Sequence, residues 1–341
     1  MNSRERVMAV LNGEKTDRRA FVPILNLYGA RLIGATMERY YRDPALYASG
    51  QAAILESFRP DILLSPLFYA GEGEAFGANL KFFPDQPPNI RKYPVSSADE
   101  FLELEFPDID SQPTLQYIRE SLRLTVERCN SDIPVASILL NPIDLPSMVL
   151  GMDAWLDALL FKSDLHASVF NRTIDHFVAY GNALLADGAS LLVSSGGFLS
   201  STVVTRDLVE KVVMPVLKKA FAQIDGPIVI HNGGSSILPF MDLYKDLPNV
   251  VALYANAGDD LAKARRMIGD DIGLVGGMDG PSLDRFTPDE IYRRYAAILG
   301  DRREDPGFML GTTGPDIPFD TPPENILAMI RAIDGVKSGN V

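Results

Sequence analysis

The chain has 341 residues and a net charge of −13, with 46% hydrophobic and 23% charged residues. This is the composition of a folded protein with a large apolar core. The excess of acidic residues argues against a surface for nucleic acid or for anionic lipid. The single cysteine, Cys129, excludes an intramolecular disulfide and a metal cluster built from several cysteines.

The sequence carries no membrane or export signal. No apolar run approaches the roughly 20 residues that a membrane span needs. Residues 1–6 have mixed charge and lack the apolar segment of a signal peptide. We therefore expect a cytoplasmic protein with no membrane partner.

The first predicted element is a helix over residues 3–13. Asn2 is placed to cap it, Glu5 follows three residues later, and Gly13 stands at its end. We expect this helix to be an N-terminal extension, because it precedes the first strand.

Eight short apolar runs then follow along the chain, and each ends in a polar or glycine-rich break. They are residues 21–27, 60–67, 133–142, 188–197, 226–234, 249–258, 271–280 and 307–315. Almost no polar residue alternates within them, which is typical of strands buried on both faces of a parallel sheet. Strands of this kind separated by helices predict a (β/α)₈ TIM barrel, spanning residues 1–341 as one domain.

Helix-like stretches separate most of these runs. They cover residues 44–57, 114–129, 153–160, 165–187, 206–224, 237–245, 261–268, 288–299 and 323–333. Residues 69–113 are rich in Gly and Pro and are predicted to be an irregular insertion over the mouth of the barrel.

The strand ends are the places to look for chemistry, because such barrels keep their active sites at the carboxyl ends of the strands. In the fifth run, His231 directly follows the apolar residues 228–230, and Gly233 and Gly234 behind it leave room for a ligand. A histidine there can bind a metal, exchange a proton or donate to an anion. The alternative is a structural histidine bonded to neighbouring backbone.

Other polar residues also follow the runs and are predicted to bind substrate. They are Asn26, Tyr28, Arg31, Asn141, Ser194, Ser195, Asn232, Asn256, Asp279, Thr312 and Thr313. For Ser194 and Ser195 the alternative is a tight turn, and for Asp279 it is the cap of the next turn. Glu72 lies just past the second run and could add an oxygen ligand to a metal bound at His231.

Short motifs recur in a fixed order along nearly the whole chain. They lie at residues 3–7 with 12–18, 58–61, 72–77, 188–189, 231, 276–279, and 316–318 with 321–325. Their order and spacing resemble the uroporphyrinogen decarboxylase (URO-D) superfamily, and most closely its branch of methylcobamide:coenzyme M and related corrinoid methyltransferases. The resemblance implies the same barrel fold, and a corrinoid, as methylcobamide, for the cofactor.

The resemblance implies one set of residues for a zinc site and another for decarboxylation, and this chain keeps only part of each. Methyltransferases of this branch hold zinc with a His-x-Cys pair after strand five and a further Cys near strand eight. His231 matches the histidine, but Gly233 and Pro315 stand at the cysteine positions. The family ligand set is therefore incomplete, and His231 and Glu72 are the candidate metal ligands that remain. Decarboxylases of the superfamily grip carboxylates with arginines after strand one, where this chain keeps Arg31 alone.

The leading hypothesis is a corrinoid-linked methyltransferase that moves a methyl group between a cobamide and a small acceptor, with His231 as the central polar group. The acceptor stays open between coenzyme M, tetrahydrofolate and another small molecule. A decarboxylase of a tetrapyrrole or another small carboxylate is one alternative, and a tetrapyrrole-binding protein without chemistry is another. The resemblance also implies a corrinoid carrier protein as partner and a homodimer.

Overall fold

The computed structural model describes residues 1–129 and 132–337. Its strands are β1 (Phe21–Val22), β2 (Leu63–Leu64), β3 (Asn79–Lys81), β4 (Asn89–Lys92), β5 (Val135–Leu140), β6 (Leu191–Ser195), β7 (Ile228–His231), β8 (Val250–Tyr254), β9 (Gly273–Asp279) and β10 (Phe308–Thr313). Eight of these form one sheet in the order β1-β10-β9-β8-β7-β6-β5-β2, and every neighbouring pair in it is parallel. Each of the eight lies within one predicted apolar run, so the predicted (β/α)₈ barrel is confirmed. Residues 130–131 and 338–341 of the predicted domain lie outside the described residues.

Helices follow the strands of the barrel. They are α1 (Ser3–Leu11), α2 (Tyr28–Ile33), α3 (Met37–Tyr40), α4 (Pro44–Phe58), α5 (Tyr69–Ala75), α6 (Ala98–Glu103), α7 (Pro113–Cys129), α8 (Leu145–Leu150), α9 (Met152–Phe161), α10 (Ser163–Ala186), α11 (Arg206–Leu208), α12 (Met214–Phe221), α13 (Met241–Tyr244), α14 (Leu261–Ile268), α15 (Pro288–Asp301) and α16 (Pro323–Lys337). The predicted cap of α1 is confirmed, because Asn2 and Glu5 form a reciprocal capping box. None of the helices in the described ranges is long and apolar enough to cross a membrane.

The apolar core has two parts. The larger part lies between the strands and the surrounding helices. The smaller part lines the barrel axis with inward side chains from the strands, together with Val10 of α1. Because α1 contributes to this inner cluster, it closes the amino-terminal end of the barrel.

The sheet does not close by a regular ladder, since β1 and β2 share few backbone contacts. Asp61 bridges them at the amino-terminal end. Its backbone N–H donates to the carbonyl of Phe21 at 2.7 Å, and its buried carboxylate accepts the N–H of Phe21 at 2.7 Å. The same carboxylate accepts from Arg6 at 2.6 Å and from Arg18 at 2.7 Å. This buried ion cluster therefore ties α1 and the first two strands together.

Buried side chains bridge the same two strands farther along. The single hydroxyl proton of Tyr47 is shared between two acceptors, the Asn26 side-chain oxygen at 2.6 Å and the carbonyl of Leu64 at 2.9 Å. The backbone N–H of Leu67 donates to the same oxygen of Asn26 at 3.1 Å. The ring is thus closed by side chains where backbone pairing is missing.

The predicted irregular segment, residues 69–113, is in part regular. It contains α5, the antiparallel hairpin of β3 and β4, and α6. The prediction of irregular structure was wrong for Gly71 to Glu74, because these residues lie within α5. The small residues are needed for packing, since a Cβ at Gly73 would lie 2.6 Å from the carbonyl oxygen of Met148. That the segment covers the mouth stays a prediction.

We predict that Asp61→Ala destabilises the protein by about 3–5 kcal/mol, because it removes the buried carboxylate that pairs with Arg6 and Arg18 and accepts the backbone N–H of Phe21. The measurement is the free energy of unfolding from chemical denaturation. Asp110→Ala is the matched control, because Asp110 also pairs with an arginine but its side chain is 75% exposed. The control should change stability by less than about 1 kcal/mol. Equal effects of the two substitutions would show that Asp61 does not close the barrel.

Candidate active site at the carboxyl ends of the strands

Strand alternation sorts the predicted site residues into two groups. Successive side chains point to opposite faces of a sheet. Val193, Val229, Val275 and Met309 belong to the inner cluster on the barrel axis. Positions an even number of residues beyond them on the same strands are Ser195, His231, Asp279 and Thr313. These four are directed toward the axis, whereas Ser194 and Thr312 are directed toward the helices.

A cavity of about 50 Å³ lies at this end of the axis. Two of the predicted residues, His231 and Ser195, line it. Its full lining is Ile24, Leu64, Leu67, Tyr69, Ile138, Val193, Ser195, His231, Gly233, Tyr254, Gly314 and Pro315. The cavity is therefore mostly apolar, with a single imidazole and a few hydroxyl groups.

The hydrogen bonds of His231 define the chemistry of its ring. The backbone N–H of Gly233 donates to Nδ1 at 3.1 Å, and the hydroxyl of Ser195 lies 3.3 Å from the same nitrogen. A backbone N–H can only donate, so Nδ1 accepts and carries no proton. The network thus assigns the proton of the neutral ring to Nε2.

Nε2 of His231 is buried and has no hydrogen-bond partner among the described residues. Burial lowers the pKa of His231 to about 4, and an interaction with the Gly314 backbone only partly opposes this. The ring is therefore neutral at pH 7. A buried donor without a partner carries a cost that a ligand can remove.

Two tyrosines complete the surroundings of this donor, and the sequence analysis missed both. The ring of Tyr254 packs against His231 with the centroids 4.7 Å apart. Burial raises the pKa of the Tyr69 phenol, and a side-chain hydrogen bond with Ser195 partly offsets that rise. Alternation along β8 from Ala252, in the inner cluster, could have placed Tyr254 on the axis.

The loop after His231 packs closely on the loop after β6. Gly233 has φ +59°, and a Cβ built there would lie 2.7 Å from the Gly196 carbonyl carbon. A Cβ at Gly196 would in turn lie 2.0 Å from the carboxylate of Asp144. Asp144 accepts from the side chain of Asn141 at 2.9 Å and from the backbone N–H of Phe198 at 3.2 Å. These bonds fix the backbone against which Gly233 packs, and so position the Gly233 N–H that donates to Nδ1 of His231.

Three buried carboxyl groups surround the mouth without a salt-bridge partner among the described residues. Burial raises the pKa of Glu72 to about 8, of Asp144 to about 7 and of Asp316 to about 7. Glu72 accepts one backbone N–H, from Leu140, at 2.9 Å. Asp316 accepts the backbone N–H groups of Asn26 and Leu27. Such shifts mark functional or strained regions of a fold.

Four of the predicted ligand-binding residues have their polar atoms engaged inside the protein. Asn26 bridges β1 and β2, as described above, and also donates to the hydroxyl of Tyr41 at 3.0 Å. Tyr28 and Arg31 donate to the carbonyl of Thr321. Asn141 bonds Asp144 and the carbonyl of Ser195. None of these four lines the cavity.

The remaining predicted residues lie around the rim. Asn256 is half-buried and donates to the Gly234 carbonyl at 3.1 Å. Asp279 is half-buried at the end of β9. Thr312 accepts the backbone N–H of Ile24 at 2.9 Å. Three further residues have buried atoms without a partner in the described part of the chain, namely Ser194 Oγ, Asn232 Nδ2 and Thr313 Oγ1. Substrate binding by this group stays a prediction.

The residues around His231 do not fit the zinc site that the resemblance implies. Zinc on Nε2 requires a lone pair there, but the Gly233 N–H keeps the proton on that nitrogen. Within residues 1–129 and 132–337, no group of three or more His, Cys, Asp or Glu side chains could hold a metal ion. Glu72 is directed to the backbone of Leu140. We therefore derive no reaction step through zinc.

Gly233→Cys tests this disagreement, because it restores the family His-x-Cys pair. We expect it to lower stability by at least about 1–2 kcal/mol, since φ is positive and the Cβ meets the Gly196 backbone. We also expect it to gain no stoichiometric zinc, measured by elemental analysis after dialysis. Gly258→Cys is the control, because a Cβ there meets nothing within 4 Å. A stable Gly233→Cys protein with one zinc per chain would contradict the assignment of Nε2.

Glu72→Gln tests the buried carboxyl. The pKa of Glu72 is raised by burial from 4.5 to about 8, so its contribution to stability is present below pH 4.5 and is lost as pH rises toward 8. Glu72→Gln should therefore lose less stability than the unaltered protein between pH 5 and 8, by at least about 1 kcal/mol. The measurement is the free energy of unfolding at both pH values. The exposed Glu56→Gln is the control and should follow the unaltered protein. Parallel pH curves for all three proteins would refute the burial of an uncharged Glu72.

Comparisons with known proteins agree with this architecture. A family model described as Uroporphyrinogen decarboxylase (URO-D) matches residues 2–336. A methylcobamide:CoM methyltransferase, MtaA, of Methanosarcina barkeri is 21% identical over 336 residues, which is 96% of both chains. A uroporphyrinogen decarboxylase of Alkalilimnicola ehrlichii is 26% identical over 294 residues, covering 83% of this chain and 75% of its own.

A solved structure shares the fold. The methyltransferase from Methanosarcina mazei superposes with a TM-score of 0.87 at 18% identity, covering 98% of this chain and 99% of its own. At that identity the likeness shows the barrel and not the activity. Because the family model spans nearly the entire length, the chain belongs to the uroporphyrinogen decarboxylase (URO-D) family.

Proposed function

We propose that this protein is a methyltransferase that moves a methyl group between a methylcobamide and a small molecule held at His231. The observation that carries the proposal is the buried, unpartnered Nε2–H of a neutral imidazole, which faces an apolar cavity at the carboxyl ends of the strands. The similarity to a methylcobamide:CoM methyltransferase over 96% of both chains supports the class of reaction.

The size of the cavity limits what can enter it. A space of about 50 Å³ admits a small group but not a corrin ring, which must stay outside the mouth. The methylcobamide is therefore a co-substrate presented from outside, and a corrinoid carrier protein is the partner we propose. When bound there, it would supply a methyl group to a lone pair of the small molecule, and the electron pair of the broken cobalt–carbon bond would stay on cobalt.

His231 acts as a hydrogen-bond donor in this scheme. Its Nε2–H meets an oxygen or sulfur atom of the small molecule and fixes its orientation toward the mouth. The pKa near 4 keeps the ring neutral, so donation does not depend on protonation at neutral pH. The bonds from Gly233 and Ser195 to Nδ1 hold the ring in place.

The apolar walls of the cavity serve the same reaction. Tyr254 covers one face of the imidazole, and Ile24 and Val193 line the space below it. Such a site offers a water molecule few partners, so water would compete poorly with the small molecule for the methyl group. A dry site also strengthens the hydrogen bond from Nε2.

Decarboxylation of a tetrapyrrole polycarboxylate has less support from this site. No Lys or Arg is among the residues that line the cavity, all of which are described. Arg31, the arginine kept after β1, donates to the backbone carbonyls of Phe319 and Thr321. Carboxylate groups would thus lack cationic partners at this position.

The test is anaerobic incubation with methylcob(III)alamin and a panel of small thiols, tetrahydrofolate and alcohols, followed by cobalt absorbance. We expect demethylation with at least one acceptor. His231→Phe should lower kcat/KM by about 10²-fold or more, as for loss of a single positioned donor. His231→Gln should retain part of the activity, because its amide N–H can replace Nε2–H.

His166→Gln is the control, since His166 is half-buried on α10 and does not line the cavity. Its activity should equal that of the unaltered protein. An unchanged spectrum with every acceptor, with and without zinc, would refute the proposal. Binding of methylcobalamin without any turnover would favour the alternative of a tetrapyrrole-binding protein.

A further inference from the structure

A second cavity lies on the barrel axis below the first. Its volume is about 30 Å³. Val7 and Leu11 of α1 close its floor, and Ala136, Val229 and Met309 are among the strand residues on its sides. Apart from the phenol group of Tyr254, no polar side chain lines it.

The two cavities share a common ring of lining side chains. Ile24, Leu64, Val193 and Tyr254 line both of them. Above this ring stands His231, and below it lie only apolar groups. The axis therefore changes from a polar upper end to an apolar lower end.

Open space here is unexpected, because side chains of a (β/α)₈ barrel usually fill the axis in layers. The lower cavity gives a water molecule almost no hydrogen-bond partners, whereas a buried water needs two to four. Apolar cavities of this kind stay dry and take up apolar ligands. The lower cavity is thus better suited to an apolar group than to a water molecule.

We infer that the small molecule bound at His231 is amphiphilic, and that its apolar end extends down the barrel axis past the ring of Ile24, Leu64, Val193 and Tyr254. This inference rests on the proposed function for the identity of the upper site. Its polar atom accepts the hydrogen bond from Nε2. The combined space corresponds to an alkyl end of roughly three heavy atoms.

The closed floor makes the lower cavity a specificity determinant. Each methylene that extends the alkyl end of the bound molecule down the axis should raise its affinity by about fourfold. The increase should stop at roughly three carbons, because Val7 and Leu11 block the axis. Longer chains should then bind more weakly.

The first test uses probes that require no turnover. Xenon, and straight-chain primary alcohols from methanol to hexanol, are titrated against the full chain. Xenon binding is followed by ¹²⁹Xe NMR, and alcohol binding by the chemical shifts of labelled methyl groups. We expect one xenon on the axis, and alcohol affinities that rise to about propanol and then fall.

Two variants fill the space. Ala136→Val narrows the lower cavity, and Val193→Phe blocks the shared ring. Both should abolish xenon binding and remove the dependence on alcohol length. Val212→Phe makes the same change as Val193→Phe at a half-buried site off the axis. It should leave xenon binding and the dependence on alcohol length unchanged. If Val193→Phe fails to fold, Ala136→Val and the alcohol series still decide the question.

The outcomes separate this inference from the proposed function. Probe binding that Ala136→Val abolishes supports the apolar cavity, even if methyl transfer from methylcob(III)alamin is never observed. Absence of xenon, or alcohol affinities independent of length, overturns the inference, even if methyl transfer is found.

Discussion

The buried carboxylate of Asp61 is the interaction on which the rest of the structure depends. It accepts the backbone N–H of Phe21 and pairs with Arg6 and Arg18, so it joins β1, β2 and α1 at the amino-terminal end of the axis. Toward the carboxyl ends of the strands, hydrogen bonds of Tyr47 and Asn26 join β1 to β2. Without this closure the eight strands would be an open sheet, and the ends of β1, β6, β7, β8 and β10 would not surround one cavity. The same closure leaves α1 as the floor beneath the two apolar spaces.

A second constraint lies in the loop after β7 and decides what His231 can do. The positive φ of Gly233 turns its N–H back onto Nδ1, and the loop packs against Gly196 with no space for a side chain. The residue that replaces the family cysteine therefore does more than remove a ligand. It sets the tautomer of the histidine and makes Nε2 a donor rather than a lone pair for a metal. The departure from the zinc site that the resemblance implies thus lies in backbone geometry as well as in side-chain chemistry.

The sequence predicted the fold well and the site only in part. Buried parallel strands are recognisable because both faces must be apolar, and all eight were found. His231 was predicted at the mouth because it ends such a strand. Asn26, Tyr28, Arg31 and Asn141 looked equally exposed to a ligand at strand ends, yet they hold loops and strands together. The same polar side chains can bond the backbone of a neighbouring strand or bond a ligand. Residue type therefore cannot distinguish a structural residue from a ligand-binding one. Strand alternation does separate some of them, since it directs Ser195 inward and Ser194 outward and places Tyr254 on the axis.

The electrostatics of the mouth follow from the same burial. The chain carries a net charge of −13, yet burial favours the neutral forms of Glu72, Asp144, Asp316 and His231 around the cavity. Burial raises the pKa of Glu72 to about 8, so its carboxyl is mainly protonated at neutral pH, and it lowers that of His231 to about 4. No Lys or Arg is among the residues that line the cavity. A site of this kind does not attract a polyanion such as a porphyrinogen with several carboxylates, because no cation offsets the loss of hydration. It suits an uncharged molecule with one hydrogen-bond acceptor and an apolar end, for which burial itself supplies the binding free energy.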